Sequence, residues 1–352
     1  YSAVYCKLNV IETENTLKAY LIILLIWNAL AILLIYLISF WILGSVLDIK
    51  FEIKPYLLSS LTAISAVSIR SIFLIKLRLQ KKAMQFFIVS VAGKAGVILI
   101  SLSFVMYYSA TAEGRLLGAV IAELLCTGFV YLYVFRKGKF FWPKIDFRKV
   151  FSFIWPLLLA SIVYYPIMAM DQIVLERYAS KTELGLYSIG LGFAGYLHTF
   201  NFSVYQTIEP DIIKFRAQGD NASLRRQVYY LVLIAVATTI CFCLVSKYLI
   251  DFMSHGKFTE AYKIANILSV SFFFVLLFSV GSTLLTTAGK SKSAFLVNLI
   301  GLFSIVIFTM LLKEFNSVGV AIARVLTYAA LSVAAFMLLK KAGTSVQNYT
   351  GS

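Results

Sequence analysis

The stretch that decides the fold reads VFSFIWPLLLASIVYYPIMAM at 150–170, DQIVLERYASKTE at 171–183 and LGLYSIGLGFAGYLHTFNFSVYQTI at 184–208. Its two uncharged runs have 21 residues (150–170) and 25 residues (184–208), and they flank a short charged connector. A helix needs about 20 apolar residues to cross the hydrocarbon core of a bilayer. The stretch therefore predicts a membrane hairpin, two spanning helices joined by the connector 171–183.

The rest of the chain repeats this pattern. It has 352 residues, of which 61% are hydrophobic and 14% charged, whereas soluble domains are about 25% charged. This composition excludes a soluble globular protein and a disordered one. Apolar runs and short connectors predict an all-α integral membrane protein with ten spans: Tyr20–Leu47, Pro55–Ile75, Met84–Tyr107, Leu116–Phe135, Val150–Met170, Leu184–Ile208, Gln227–Ser246, Ile264–Gly289, Ser293–Leu312 and Phe315–Leu339.

The charges of the connectors predict the orientation of the spans. One alternating set of connectors, which includes 76–82 and 136–149, has a large excess of Lys and Arg, and the other set is neutral. Cytoplasmic loops of membrane proteins are rich in Lys and Arg, so the basic set and both ends of this sequence are predicted to be cytoplasmic. The net charge of +16 is thus a sign of topology, and no nucleic-acid partner is predicted.

An internal repeat predicts two related lobes. The sequence GAVIAELL at 118–125 matches GVAIARVL at 319–326, and Lys82 with FFIV at 86–89 matches Lys290 with AFLV at 294–297. Halves of the same orientation form a parallel repeat about an axis along the membrane normal. The expected domains are an N-terminal lobe (1–139), a cytoplasmic linker (140–149) and a C-terminal lobe (150–352). Since only the second half has a hairpin before the matching point, two further helices are expected before residue 1, twelve in all in two pseudo-symmetric bundles.

Four charged residues fall inside predicted spans: Arg70, Lys94, Glu123 and Arg324. A charge at a helix centre costs roughly 2.5–3.5 kcal/mol on insertion scales, so an intramembrane charge is a functional candidate by default. Together they are candidates for a cationic substrate cavity that attracts an anionic headgroup. The structural alternative is that they pair with one another or extend to the membrane surface, as Arg70 near a cytoplasmic end could.

Glu123 and Arg324 occupy matching positions of the repeat. They could pair with each other across the lobes or contribute separately to the cavity, or each could pair with backbone or polar groups in its own bundle. Two further residues are candidates for ion coupling. Asp171, at the end of the fifth span, could bind a coupling cation or simply cap a helix. His198, the one histidine within a span, could relay protons or serve as a hydrogen-bonded packing residue.

The hairpin also resembles a known family. The resemblance rests on Pro156 in the first helix, on Asp171, Ile173 and Leu175 where the chain leaves that helix, and on Gly-Leu-Tyr-Ser at 185–188 at the start of the second helix. This pattern is similar to that of polysaccharide flippases, the O-antigen and lipid-linked-oligosaccharide exporters of the MATE-like superfamily. The basic connector after the second span, the linker 136–149 and the sequence Ala-Gly-Lys-Ser-Lys at 288–292 extend the resemblance. Tyr1-Ser2 could instead match the Gly-Leu-Tyr-Ser sequence, which would mean an internal deletion.

The resemblance implies twelve helices and a transport function. The expected activity is translocation of an undecaprenyl-pyrophosphate-linked oligosaccharide, an O-antigen or related repeat unit, across the bacterial inner membrane. Alternating access coupled to a proton or sodium gradient would drive it. The expected partners are the lipid-linked oligosaccharide, membrane lipids, a polysaccharide polymerase and the chain-length machinery.

Signals of catalysis are missing from the sequence. It contains no phosphate-binding loop of the Walker type and no HExxH or CxxC pair, so an enzyme, a cofactor and a metal site are not predicted. A membrane-embedded glycan polymerase or ligase is an alternative, but such proteins carry a large outer loop and the outer connectors here are short. A MATE-type multidrug or lipid-precursor exporter with the same fold is the second alternative.

Overall fold

The chain is a set of long helices. A computed structural model describes residues 21–22, 24–37, 53–80, 82–108, 112–136 and 147–347. Of these residues 94% are helical and none lies in a strand, which confirms the all-α prediction. The predicted first span and the two chain ends, at 1–20 and 348–352, lie partly or wholly outside the described residues, as does most of the predicted linker 140–149.

Ten helices can be followed in the described residues. In chain order they are α1 (Leu24–Leu37), α2 (Ile53–Leu79), α3 (Ala83–Tyr107), α4 (Ala112–Phe135), α5 (Phe147–Tyr178), α6 (Lys181–Gln218), α7 (Asn221–Ser254), α8 (Ala261–Thr287), α9 (Ser291–Leu312) and α10 (Asn316–Gln347). A single 3₁₀ turn, Lys313–Phe315, joins α9 to α10.

Seven helical segments of the described residues are long and apolar enough to cross a membrane. One of them, Ser291–Lys340, comprises α9, the 3₁₀ turn and most of α10. The predicted span Leu184–Ile208 lies within α6, which is not among the seven because residues such as His198 and Asn201 lower its hydropathy. The chain is a multi-pass membrane protein, and the number of ten spans stays a prediction.

Large apolar side chains cover much of the surface. Phe87, Leu132, Leu244 and Phe303 are each at least 60% exposed. So many exposed large apolar side chains are unusual on soluble proteins, and helices that face hydrocarbon have no reason to bury them. The exposure therefore agrees with helices that lie in a bilayer.

The chain divides into two compact units, Tyr1–Ile145 (the first unit) and Asp146–Ser352 (the second unit). In the first unit α4 packs against both α2 and α3. Its core contains Ile69, Phe73 and Leu77 of α2, with Val130 and Val134 of α4. The pseudo-symmetry of the predicted lobes stays a prediction.

In the second unit α8 is the central helix. It packs against α6, α7 and α10, and α9 packs against α5 and α10. The largest core cluster brings Phe272 of α8 together with Tyr187 of α6 and Tyr328 of α10. Helix α8 also makes a smaller contact with α9. The middle of α8 therefore lies where side chains from distant parts of the sequence meet.

The helices extend well beyond the predicted spans. The predicted connector 171–183 is wrong in extent, since α5 runs to Tyr178 and α6 begins at Lys181. Ser180 caps α6 by accepting a hydrogen bond from the backbone N–H of Glu183 at 3.2 Å, as serine commonly does at the N-cap. The interpretation of Asp171 as a helix cap is therefore also wrong, because this residue lies inside α5, two turns before its end.

Candidate functional site

A buried ion pair joins α5 to α10. The Arg324 guanidinium donates through Nη1 to Oδ2 of Asp171. The two residues are only 3% and 1% exposed. Asp171 is further satisfied, since Oδ2 accepts a hydrogen bond from the Tyr187 hydroxyl of α6 at 2.5 Å and Oδ1 accepts one from the backbone N–H of Gln172 at 2.9 Å. The carboxylate thus has a donor for each oxygen, as a buried charge requires.

Aromatic rings surround the other side of the pair. The Arg324 guanidinium lies 5.4 Å from the ring centroid of Phe272 and 5.6 Å from that of Tyr328, within the range of a cation–π interaction. Tyr328 in turn donates a long hydrogen bond of 3.5 Å to the Tyr164 hydroxyl. Within the described residues Nε of Arg324 is buried without a hydrogen-bond partner. The cation is thus neutralised by Asp171 and keeps one N–H donor available.

His198 is a neighbour of this site. Its imidazole stacks on the Phe272 ring with centroids 4.6 Å apart and planes inclined by 18°. It is half-buried and also contacts the ring of Phe202. The structure therefore brings His198 to the aromatic side of Arg324. Its proposed role in ion coupling stays a prediction.

A second buried ion pair lies in the first unit. Nη2 of Arg70 on α2 donates to Oε1 of Glu123 on α4 at 2.9 Å, and both residues are buried. A Cβ atom on Gly93 of α3 would overlap Nη1 of Arg70, so α3 packs directly on the guanidinium. Nε and Nη1 of Arg70 and Oε2 of Glu123 have no hydrogen-bond partner among the described residues.

Apart from His198, the candidates thus sort into two ion pairs and one exposed cation. Glu123 and Arg324 each find an opposite charge in their own unit, Arg70 and Asp171 respectively, which is the alternative to a pair across the lobes. Arg70 is buried against Glu123 rather than extended to a surface. Lys94, in the middle of α3, is exposed. Whether these residues line a substrate cavity stays a prediction.

Sequence reasoning missed the side chains that complete the second-unit site. Tyr187 entered only as one letter of the Gly-Leu-Tyr-Ser pattern, and Phe272 and Tyr328 carried no signal in a chain that is 15% aromatic. Their roles depend on which helices touch, and a single sequence does not contain that information.

Long apolar helices make this chain a multi-pass membrane protein, and its fold is similar to that of solved transporter structures. A mutant of the Vibrio cholerae MATE transporter VcmN superposes with a TM-score of 0.77 at 15% identity, over 94% of this chain and 79% of that one. An outward-facing multidrug resistance MATE family transporter of the MOP superfamily gives a TM-score of 0.74 at 13% identity, over 95% and 80%. The lipid II flippase MurJ, inward closed, gives 0.64 at 16% identity, over 96% and 76%. At these identities the likeness shows the fold alone.

The family follows from the sequence match. The model of the family described as polysaccharide biosynthesis protein matches residues 7–214, more than half of the chain, and the chain belongs to that family. A second model, MatE, matches residues 156–312. No curated protein matches the chain. The resemblance to polysaccharide flippases of the MATE-like superfamily is confirmed, and the families matched consist of transporters and flippases rather than enzymes.

Proposed function

We propose that this protein is a flippase that moves an undecaprenyl-pyrophosphate-linked oligosaccharide across the bacterial inner membrane by ion-coupled alternating access. The observation that carries the proposal is the family match over residues 7–214. The MATE-like fold supports it, since this is a fold of transporters and of a lipid flippase. The O-antigen or related glycan would be delivered to a polysaccharide polymerase and its chain-length machinery.

The second-unit ion pair offers a coupling device for this function. A guanidinium binds phosphate oxygens as readily as a carboxylate, so an incoming pyrophosphate competes with Asp171 for Arg324. A proton or cation that neutralises Asp171 would release Arg324 in the same way. In the proposed cycle Arg324 and Lys94 contact the anionic headgroup, Asp171 and His198 respond to the coupling ion, and Arg70 with Glu123 holds a second polar site in the first unit.

Reconstitution tests the proposal directly. The purified chain is placed in proteoliposomes with an undecaprenyl-pyrophosphate-linked oligosaccharide whose sugar is open to periodate oxidation, and the fraction oxidised from outside is followed over time. We expect the protein to expose sugar from the inner leaflet and protein-free vesicles not to. An imposed proton or sodium gradient should change the rate. A sugar pool that stays protected with protein present would contradict the proposal.

A multidrug exporter is the second candidate, favoured by the MatE match over 156–312. The same proteoliposomes distinguish the two. Uptake of a cationic dye driven by an ion gradient, with no change in sugar exposure, would support the exporter. In cells, deletion of a flippase leaves lipid-linked oligosaccharide in the cytoplasmic leaflet, whereas deletion of a drug exporter leaves that pool unchanged.

A further inference from the structure

An apolar groove runs between three helices of the first unit. It has a volume of about 200 Å³. Its floor is formed by buried side chains of α2 and α4, among them Phe73, Leu77 and Val130. Its rim is formed by Ile88, which is 53% exposed, and Phe129, which is 68% exposed. At roughly 30 Å³ for each water molecule in the liquid, the space is that of about seven waters. An apolar cleft of this size suits a stretch of hydrocarbon chain.

One end of the groove meets a basic turn. Leu77, in the groove floor, accepts a hydrogen bond through its backbone carbonyl from the N–H of Lys82 at 3.0 Å. The turn that this bond closes follows Lys76 and Arg78 in the last turn of α2. Lys76 is buried and both residues have interactions of their own, so Lys82 supplies the exposed charge. Lys82 is exposed, and its backbone lies at the end of the groove, where its N–H bonds to Leu77.

A polar side chain marks the boundary between the two regions. Gln85 lines the groove and lies three residues after Lys82. Residues three and four apart share one face of a helix, so Lys82, Gln85 and Val89 follow one another along α3 from the basic turn into the groove. A cation, an amide and an apolar cleft in this order match a phosphate followed by a hydrocarbon chain.

We propose that this groove binds the polyprenyl chain of the lipid-linked substrate, with the pyrophosphate at the basic turn beside Lys82. The inference rests on the proposed function for the identity of the lipid. It is consistent with the predicted topology, which puts the basic connector 76–82 in the cytoplasm, where the lipid-linked oligosaccharide starts its passage. Anionic phospholipids share the chemistry of a phosphate on an apolar chain, so they are the competitors against which the assignment is tested.

Photocross-linking of the full chain locates the lipid. The protein is placed in nanodiscs of zwitterionic phospholipid with a polyprenyl pyrophosphate that carries a diazirine in its chain, and the labelled peptides are identified by mass spectrometry. We expect labels within 85–89 and 129–133. Unlabelled polyprenyl pyrophosphate should compete, and polyprenyl alcohol and phosphatidylglycerol should compete about tenfold less well.

Two variants examine the two ends of the site. Val89→Trp fills the groove, and we expect it to lower labelling about tenfold. Its matched control is Val91→Trp, at an exposed position of α3 outside the groove, which should label as the wild type does. Lys82→Gln should weaken competition by the pyrophosphate about threefold, the scale of an exposed charge pair, and Lys82→Arg should restore it.

Several results would overturn the assignment. Labels outside the groove, equal labelling of Val89→Trp and Val91→Trp, or equal competition by phosphatidylglycerol would each do so. If another part of this chain covered the groove, Val89→Trp and Val91→Trp would be labelled equally. Sugar translocation by the wild type is measured on the same preparation. Normal translocation together with any of these results would reject the groove assignment alone, whereas absent translocation would reject the proposed function.

Discussion

Breaking the ion pair of Asp171 and Arg324 from either side should destabilise the protein by different amounts. Arg324→Met removes the cation and leaves a carboxylate that still accepts hydrogen bonds from Tyr187 and from the backbone of Gln172. Asp171→Asn removes the negative charge and leaves the guanidinium with a neutral amide oxygen and the rings of Phe272 and Tyr328. The second change leaves the poorer environment, and we expect it to cost more.

The magnitudes follow from two limits. Removing one partner of a buried ion pair in a soluble protein costs about 3–5 kcal/mol, whereas polar contacts between membrane helices average about 0.6 kcal/mol and reach roughly 1.7 kcal/mol. Because Asp171 keeps two donors, Arg324→Met should cost about 1–2 kcal/mol, near the membrane limit. Asp171→Asn should cost about 2–4 kcal/mol, since it strands a buried charge. The double variant should recover about 1–2 kcal/mol of the summed loss.

Equilibrium unfolding in mixed detergent–SDS micelles, followed by tryptophan fluorescence, gives the free energies for the double-mutant cycle. Lys263→Ala is the control, because its ion pair with Glu260 is in the same unit but solvent-exposed, and such pairs contribute about 0–1 kcal/mol. Losses that add within roughly 0.5 kcal/mol would mean that Asp171 and Arg324 do not interact. A larger loss for Arg324→Met than for Asp171→Asn would refute the ranking.

Three further changes have outcomes that the structure predicts. Gly301→Ala places a Cβ 2.5 Å from the side chain of Leu331 and should cost about 1–3 kcal/mol in unfolding free energy, whereas Gly195→Ala, with open space around it, should be neutral or stabilising; equal effects would contradict the packing. Asp220 caps α7, and its hydrogen bonds to the first turn hold the pKa of its carboxyl below the ordinary value, so its stabilisation is present at neutral pH and lost as the pH falls through that lowered pKa. A thermal-unfolding pH series should show less acid sensitivity in Asp220→Asn, and an unchanged series would refute this. Lys94→Ala should leave stability unchanged because Lys94 is exposed, and should slow sugar translocation; a normal rate would reject its role.

Hydropathy predicted where the helices lie better than where they end. The predicted span Leu184–Ile208 lies inside α6, which continues from Lys181 to Gln218. Charged residues end a span in a hydropathy profile, but they do not end a helix. A helix can continue beyond the membrane into water, and its ends are set by capping residues such as Ser180 at the start of α6 and Asp220 at the start of α7. The end of α6 at Gly219, with a φ of 71°, is a signal that sequence does carry, since glycine adopts this conformation without strain.

The sequence predicted which charged residues belong to the candidate site, but it did not predict which of them pair with one another. The cost of a charge in lipid singled out four residues, of which Lys94 is exposed and Arg70, Glu123 and Arg324 are buried. Their partners lie 53 and 153 residues away along the chain, and only helix packing determines which charges meet. Asp171 was placed at a helix end because the apolar run stops there. The helix itself continues, and burial against Arg324 keeps the acid within it.

The remaining question is whether Arg324 acts through its charge or through its shape, and Arg324→Lys separates the two. Lysine keeps the positive charge but lacks the planar fork of donors. Since Nη1 holds Asp171 and Nε has no partner among the described residues, the fork has a second donor with which to hold a phosphate that competes with Asp171. We therefore expect Arg324→Lys to cost less than half the unfolding free energy lost in Arg324→Met. Its rate of sugar translocation should nevertheless fall about tenfold or more, the effect of losing a bidentate phosphate contact. A wild-type rate in Arg324→Lys would show that the charge alone suffices, and a stability loss as large as that of Arg324→Met would show that the fork serves the ion pair rather than the substrate.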